Sequence, residues 1–183
     1  MQEHRSAEEL TAALDEIRKS PATTGTVELI VRRPAENERE VLTEGMLDLE
    51  QGLVGDMWKA RGSSRTPDRS ANLDAQLTLM NARAAHAIAG SKERRQLAGD
   101  QLFVDLDLSV ENLPPGTRLA VGDAVIEVTP EPHTGCAKFS ARFGMDALKF
   151  VNKSPGRELR LRGVNTRVVT PGTVRAGDAI SKF

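Results

Sequence analysis

The sequence predicts a mainly β (α+β) domain with peripheral helices, folded as a closed or nearly closed barrel. Two features carry that reading: many short runs of alternating apolar and polar residues, and glycine-rich turn signals between them. Glycine–aspartate turns recur at Gly55, Gly99, Gly122 and Gly177, at spacings that fit no repeat unit. Helical patterns are few and short.

In chain order, Ser6-Ala7-Glu8-Glu9 is a capping box opening a helix over about Ala7–Lys19. Leu10, Ala13, Leu14 and Ile17 form its apolar stripe, and Ser20-Pro21 end it. Residues 1–24 therefore read as an N-terminal helix and linker, with the main domain over 25–183. That helix is expected to pack on the barrel exterior or on another subunit, apart from any functional site. From Thr26 the period becomes that of a strand, and residues 39–49 form a second extended region broken at Gly45. Residues 61–72 are polar, carry Arg61, Arg65 and Arg69, and have no period, as in a long functional or mobile loop.

Residues 76–80 read as a strand, after which Asn81 caps a helix to about Ala89 that holds His86 at its surface or at the core edge. A short helix is expected over Ser91–Leu97, a strand over Leu102–Leu108, and a hairpin turning at Gly122-Asp123. Asp146–Asn152 reads as helix, and Leu159–Arg162 and Asn165–Thr170 as strands.

Composition narrows the function. The 183 residues fit one domain that can bury a real core. A net charge of −1 gives no bulk attraction to nucleic acid or anionic membrane, and 3% aromatics with no tyrosine leave few stacking surfaces for bases. The single cysteine excludes an internal disulfide and any paired-cysteine zinc motif. No segment has the ~20 apolar residues of a membrane span, and the charged N-terminus is unlike a signal peptide, so a cytoplasmic location is expected.

Chemistry concentrates in Pro132-His133-Thr134-Gly135-Cys136-Ala137-Lys138-Phe139, which continues to Gly144. Pro132 and Gly135 break what precedes, so a helix is expected to begin near Cys136, with Phe139 and Phe143 on one face and Lys138 and Arg142 on the next. Free N–H groups at the helix start, His133 upstream and the two cations all favour ionisation of the thiol, as a reactive or metal-ligating sulfur requires. Gly135 would let a ligand approach the backbone beside it. The alternative is that Cys136 is a small buried hydrophobe. His133 is either a base acting from behind the reacting groups or a turn residue bonded to backbone.

The ordered set Gly52-Leu53-Val54-Gly55-Asp56-Met57-Trp58, Leu77-Thr78-Leu79-Met80-Asn81, Gly99-Asp100 through Asp107-Leu108-Ser109, and Pro132-His133-Thr134-Gly135-Cys136 resembles the MOSC family. That family is named for the C-terminal domain of molybdenum-cofactor sulfurases. Val174-Arg175-Ala176-Gly177-Asp178-Ala179-Ile180 matches its closing turn. The resemblance covers about residues 26–183. It implies a barrel like the pyruvate kinase β domain and a single functional cysteine, here Cys136, as catalytic group or metal ligand. It further implies association with the molybdenum cofactor, with persulfide sulfur carriage, or with reduction of N-hydroxylated compounds. Pyridoxal phosphate enters only through the family's larger members. Neither an aminotransferase-like domain nor the barrel that precedes MOSC in amidoxime-reducing enzymes is found in these residues, so a complete sulfurase is not expected.

Under that resemblance the candidate catalytic residues are Cys136 and His133. Lys138, Arg142 and Arg61 are candidates for the anionic pterin phosphate, and Asn112 for a ligand amide edge. A cysteine desulfurase or redox protein would be the partner, and a small molecule the ligand. The competing class is a non-catalytic small-molecule-binding or adaptor barrel with a structural cysteine.

Overall fold

The computed structural model describes residues 4–183; residues 1–3 of the expected N-terminal segment lie outside them. Two short helices, α1 (Ala7–Ala12) and α2 (Leu14–Ile17), precede β1 (Thr24–Arg32), β2 (Glu40–Leu42), β3 (Glu44–Asp48) and β4 (Gly52–Leu53). Then come α3 (Trp58–Arg61), β5 (Leu77–Asn81), α4 (Ala82–Ala89), β6 (Leu102–Asp105), β7 (Arg118–Val121) and β8 (Ala124–Val128). The chain ends with α5 (Ala137–Phe143), α6 (Met145–Asn152), β9 (Val164–Thr170), β10 (Gly172–Arg175) and β11 (Ala179–Lys182).

Seven strands close a barrel in the order β11-β7-β8-β9-β5-β6-β1, with β1 pairing back to β11 and β2 extending the sheet. The expected barrel is therefore present. All its pairs are antiparallel except β5–β6, which are parallel because α4 makes the crossover between them. A small sheet, β10-β3-β4, lies beside the barrel.

Two apolar cores follow from strand alternation. Leu77, Leu79, Leu102, Val104, Ile126 and Ile180 fill the barrel. On the opposite faces of the same strands, Val31, Met80 and Phe103 meet a layer of helices that brings Leu10, Ile88, Phe139 and Phe143. β5 is buried along its whole length for this reason: both its faces are covered.

The N-terminal helix is capped as the sequence indicates, with Ser6 accepting from the Glu9 N–H and the Glu9 carboxylate accepting in return. It breaks at Ala13 and does not run on as one helix. Leu10 is fully buried in the helical layer, and the Ala7 N–H donates to Asp146 of α6. Leu10→Ala should lower unfolding stability by about 2–5 kcal/mol in urea denaturation. A loss below about 0.5 kcal/mol, the scale of an ordinary surface change, would mean that the helix is a dispensable attachment.

Three element expectations are corrected. Residues 159–162 form no strand: Arg160 has φ 50°, the Leu161 N–H bonds back to Gly156, and the segment turns tightly into β9. Its apparent alternation comes from a coil in which Leu161 enters the helical core while Arg160 and Arg162 find separate carbonyl and carboxylate partners. The helix expected over 91–97 is only a 3₁₀ turn at Arg95–Ala98. The break expected at Gly45 falls at Thr43, and Gly45 stays within β3 opposite Val174, where a Cβ would come 2.6 Å from the Leu53 side chain. Among the described residues, no helix is long and apolar enough to cross a membrane.

Candidate functional site

A cleft of about 600 Å³ opens on the outer face of the barrel, where Thr78 of β5 faces the start of α5. Its walls come from the β1–β2 loop (Arg33, Arg39), the segment after α3, the Gly99 turn before β6, and the 131–142 stretch. Cys136, His133, Lys138, Arg142 and Arg61 all line it. Five of the six residues selected from sequence thus share one cavity.

Asn112 does not. Its amide donates to the Ala22 and Asp107 carbonyls, and its oxygen accepts from Lys182 at 2.7 Å. Those bonds use the side chain to tie the turn after β6 to the N-terminal linker, which corrects its reading as a ligand contact.

Cys136 is the N-cap residue of α5 in extended backbone, and its side chain makes no capping bond. It is exposed, so the reading as a buried hydrophobe is excluded. The expectation for Gly135 is also corrected. A Cβ there would meet Leu148 at 2.8 Å and Val151 at 3.0 Å, so the glycine is required by close packing on α6 and not by ligand approach. Asn152 of α6 locks the same residue from both sides, accepting from the Gly135 N–H at 2.8 Å and donating to its carbonyl at 3.0 Å. These two bonds tie the thiol-bearing loop to α6.

His133 does not make the bond to backbone expected of a turn residue. Its Nε2 lies 2.9 Å from Asp100 Oδ1, and the other Asp100 oxygen accepts from Arg162 at 2.6 Å. Asp100 is completely buried. Burial alone would raise its carboxyl, but Arg162 and His133 outweigh that and hold it down at about 2. Burial and then Arg162 pull His133 below the ordinary histidine range, against the attraction of Asp100. The dyad at neutral pH is therefore a carboxylate accepting from a neutral imidazole, with Nε2 as donor and Nδ1 as the acceptor nitrogen. Arg162 completes the chain by lying over the Phe139 ring of α5, 5.1 Å from its centroid.

A second buried ion pair also braces the cleft. Arg33 donates from Nε and Nη2 to the two Asp56 oxygens, at 2.9 and 2.7 Å, and from Nη1 to the Gly99 carbonyl. Sequence reasoning missed Asp100, Arg33 and Asp56 as supports of the site. The two aspartates stood only as members of glycine–aspartate turns.

Seven basic side chains and two carboxylates line the cleft. Arg33 and Arg162 are neutralised by the buried aspartates, Arg65 pairs with Glu131, and Lys138 pairs with Glu36 at 2.9 Å. Arg39, Arg61 and Arg142 have no carboxylate partner among the described residues. Burial, with Arg33 nearby, lowers Arg61 from the usual arginine value. Three guanidiniums without carboxylate partners thus line the same cavity as an exposed thiol, and such groups can donate charge-assisted bonds to an anion.

The sequence profile of the MOSC domain matches residues 66–181, well over half the chain. The chain belongs to the MOSC family. The matched span includes Asp100, His133, Cys136, Lys138, Arg142 and Arg162, whereas Arg33, Arg39, Asp56 and Arg61 precede it. The MOSC fold is shared with solved structures at low identity. YuaD from Bacillus subtilis superposes with TM-score 0.64 at 16% identity, covering 86% of this chain and 94% of its own. YiiM from Escherichia coli gives TM-score 0.55 at 20% identity, covering 86% and 69%. YiiM from Geobacillus stearothermophilus gives 0.54 at 13%, covering 88% and 73%. None of the curated proteins matches the chain.

Proposed function

We propose that the cleft receives a molybdenum-bearing pterin cofactor, with the Cys136 sulfur as the protein's own ligand to the metal. The observation that carries this reading is the meeting, in one cavity, of an exposed thiol with three guanidiniums that lack carboxylate partners. The residues fit such a group. Among the described residues, no cluster of three histidine, cysteine or carboxylate side chains could hold a bare ion. A metal bound here would need to bring its own chelating ligands, and a thiolate is the soft donor suited to complete them. The cavity volume lies within the range of cofactor sites. Unpaired arginines suit the pterin phosphate. Of the sequence candidates, Arg61 is free for that role, Arg142 lies beside Arg39 over Gly99, and Lys138 must first leave Glu36.

When bound, the cofactor would supply the redox chemistry that reduces N-hydroxylated compounds. The chain's own residues do the rest. Asn152 fixes the Gly135 backbone and so aims Cys136. Asp100 holds the His133 tautomer, leaving Nδ1 able to take or return a proton at the cleft wall. A second reading is favoured by the exposure of Cys136: a sulfur within reach of a partner's site could carry a persulfide delivered by a cysteine desulfurase, or meet a redox protein. A reducing cytoplasmic setting suits a free, exposed cysteine of either kind.

The test is protection. Iodoacetamide should modify Cys136 in the isolated protein, and cofactor released from a denatured molybdoenzyme should slow that reaction at least tenfold under anaerobic conditions. An unchanged rate of modification at saturating cofactor would defeat the reading.

A further inference from the structure

We propose that Arg39 and Arg142 form a two-guanidinium clamp above Gly99 that binds the oxyanion, a carboxylate or phosphate ester, of the small molecule presented to Cys136. Arg39 Nη2 and Arg142 Nη1 both lie within 3.6 Å of the point where a Gly99 side chain would begin. Gly99 itself has φ +89°, so it is glycine for backbone reasons, and the space above it is left open between two positive groups.

The protein does little to neutralise the pair. Arg142 donates to the Leu97 carbonyl at 2.8 Å and at longer range to the Asn37 amide oxygen. Arg39 donates only to the carbonyl of the adjacent Glu38, and its Nε is buried without a partner. The carboxylates nearest to hand, Asp56 and Asp100, are already committed to Arg33 and Arg162. Burial and then repulsion from Arg142 and Arg33 lower Arg39 from the usual arginine value, as expected for a cation awaiting a counter-charge. An anion seated between the two would gain charge-assisted bonds from both guanidiniums at once.

This subsite is separate from Arg61. Within 4 Å of the point where a Gly99 side chain would begin lie only the Arg39 and Arg142 guanidiniums, and Arg61 is not among them. Arg142 and Cys136 are six residues apart on and at the start of α5, roughly 9 Å along the axis. The ligand class is therefore a small organic anion whose charged end is distant from its reacting end. That this ligand is the one that meets Cys136 rests on the function proposed above; the clamp itself does not.

Inorganic phosphate and acetate, titrated separately into the full-length protein and followed at the Gly99 amide by NMR, test the clamp and say which anion it prefers. A saturable shift is expected with at least one of them. Arg39→Gln and Arg142→Gln should each weaken it at least tenfold, while Arg61→Gln and Cys136→Ser should leave it unchanged. No saturable shift with either anion would overturn the proposal. So would an unaltered affinity in Arg39→Gln, whose side chain is bonded only to a neighbouring carbonyl and whose loss should not disturb the fold. Equal loss in Arg61→Gln would reduce the two positions to one site and refute the separation. Anion binding here without cofactor protection of Cys136 would sink the proposed function alone; protection without anion binding would sink the clamp alone.

Discussion

Asp100→Asn should destabilise the protein by roughly 3–5 kcal/mol, because it leaves the buried Arg162 cation without its counter-charge. Asp100 is completely buried and serves two partners, so neither water nor another carboxylate can replace it. The substitution keeps the shape and removes the charge, which separates this effect from cavity formation. Urea unfolding at pH 7 measures it, and a loss below about 1 kcal/mol would place the interaction among weak surface pairs.

The same dyad sets a pH dependence whose sign is fixed. The Asp100 carboxyl is held at about 2 in the folded chain, below its value of about 4 when unfolded, so its stabilisation is present above pH ~4 and lost as pH falls towards the folded value. That difference contributes about 2 kcal/mol. His133 is also lowered by folding, so the unfolded chain takes up its proton first and stability begins to decline as pH falls below about 6.5. Both groups act in the same direction. Unfolding midpoints should fall from pH 7 to pH 5, and His133→Gln should flatten that interval. A midpoint constant between pH 7 and pH 5 would contradict a His133 held neutral by the fold.

Most of the barrel was legible because its strands alternate and its turns carry glycine and aspartate. The start of α5 was legible for a similar local reason: Pro132 and Gly135 interrupt the chain and the two phenylalanines repeat at helical spacing. Residues 159–162 misled because alternation arises whenever neighbouring side chains point opposite ways, including in a turn. The supports of the site were hidden by sequence distance. Asp100 meets His133 33 positions later and Arg162 62 positions later, and nothing local to a Gly-Asp pair distinguishes a turn residue from a buried counter-ion. Arg39 was overlooked for the complementary reason. Its neighbours are ordinary loop residues, and only the fold brings it over Gly99 beside Arg142. Asn112 erred the other way, since an asparagine that completes a turn and one that reads a ligand look alike in sequence.

Cys136→Ser carries the second large expectation and the central claim. The Cys136 side chain makes no capping bond and is exposed, so serine should leave the unfolding free energy within about 0.5 kcal/mol of the parent. Retention of molybdenum should nevertheless collapse, because serine oxygen is a poor replacement for a soft thiolate. The direct measurement is the molybdenum content of parent and Cys136→Ser proteins, loaded anaerobically with released cofactor and passed through gel filtration. Near-stoichiometric metal in the parent with at least a tenfold loss in the variant is the predicted result. Equal metal in the two proteins, or none in either, would contradict the assignment of Cys136 as the metal's ligand.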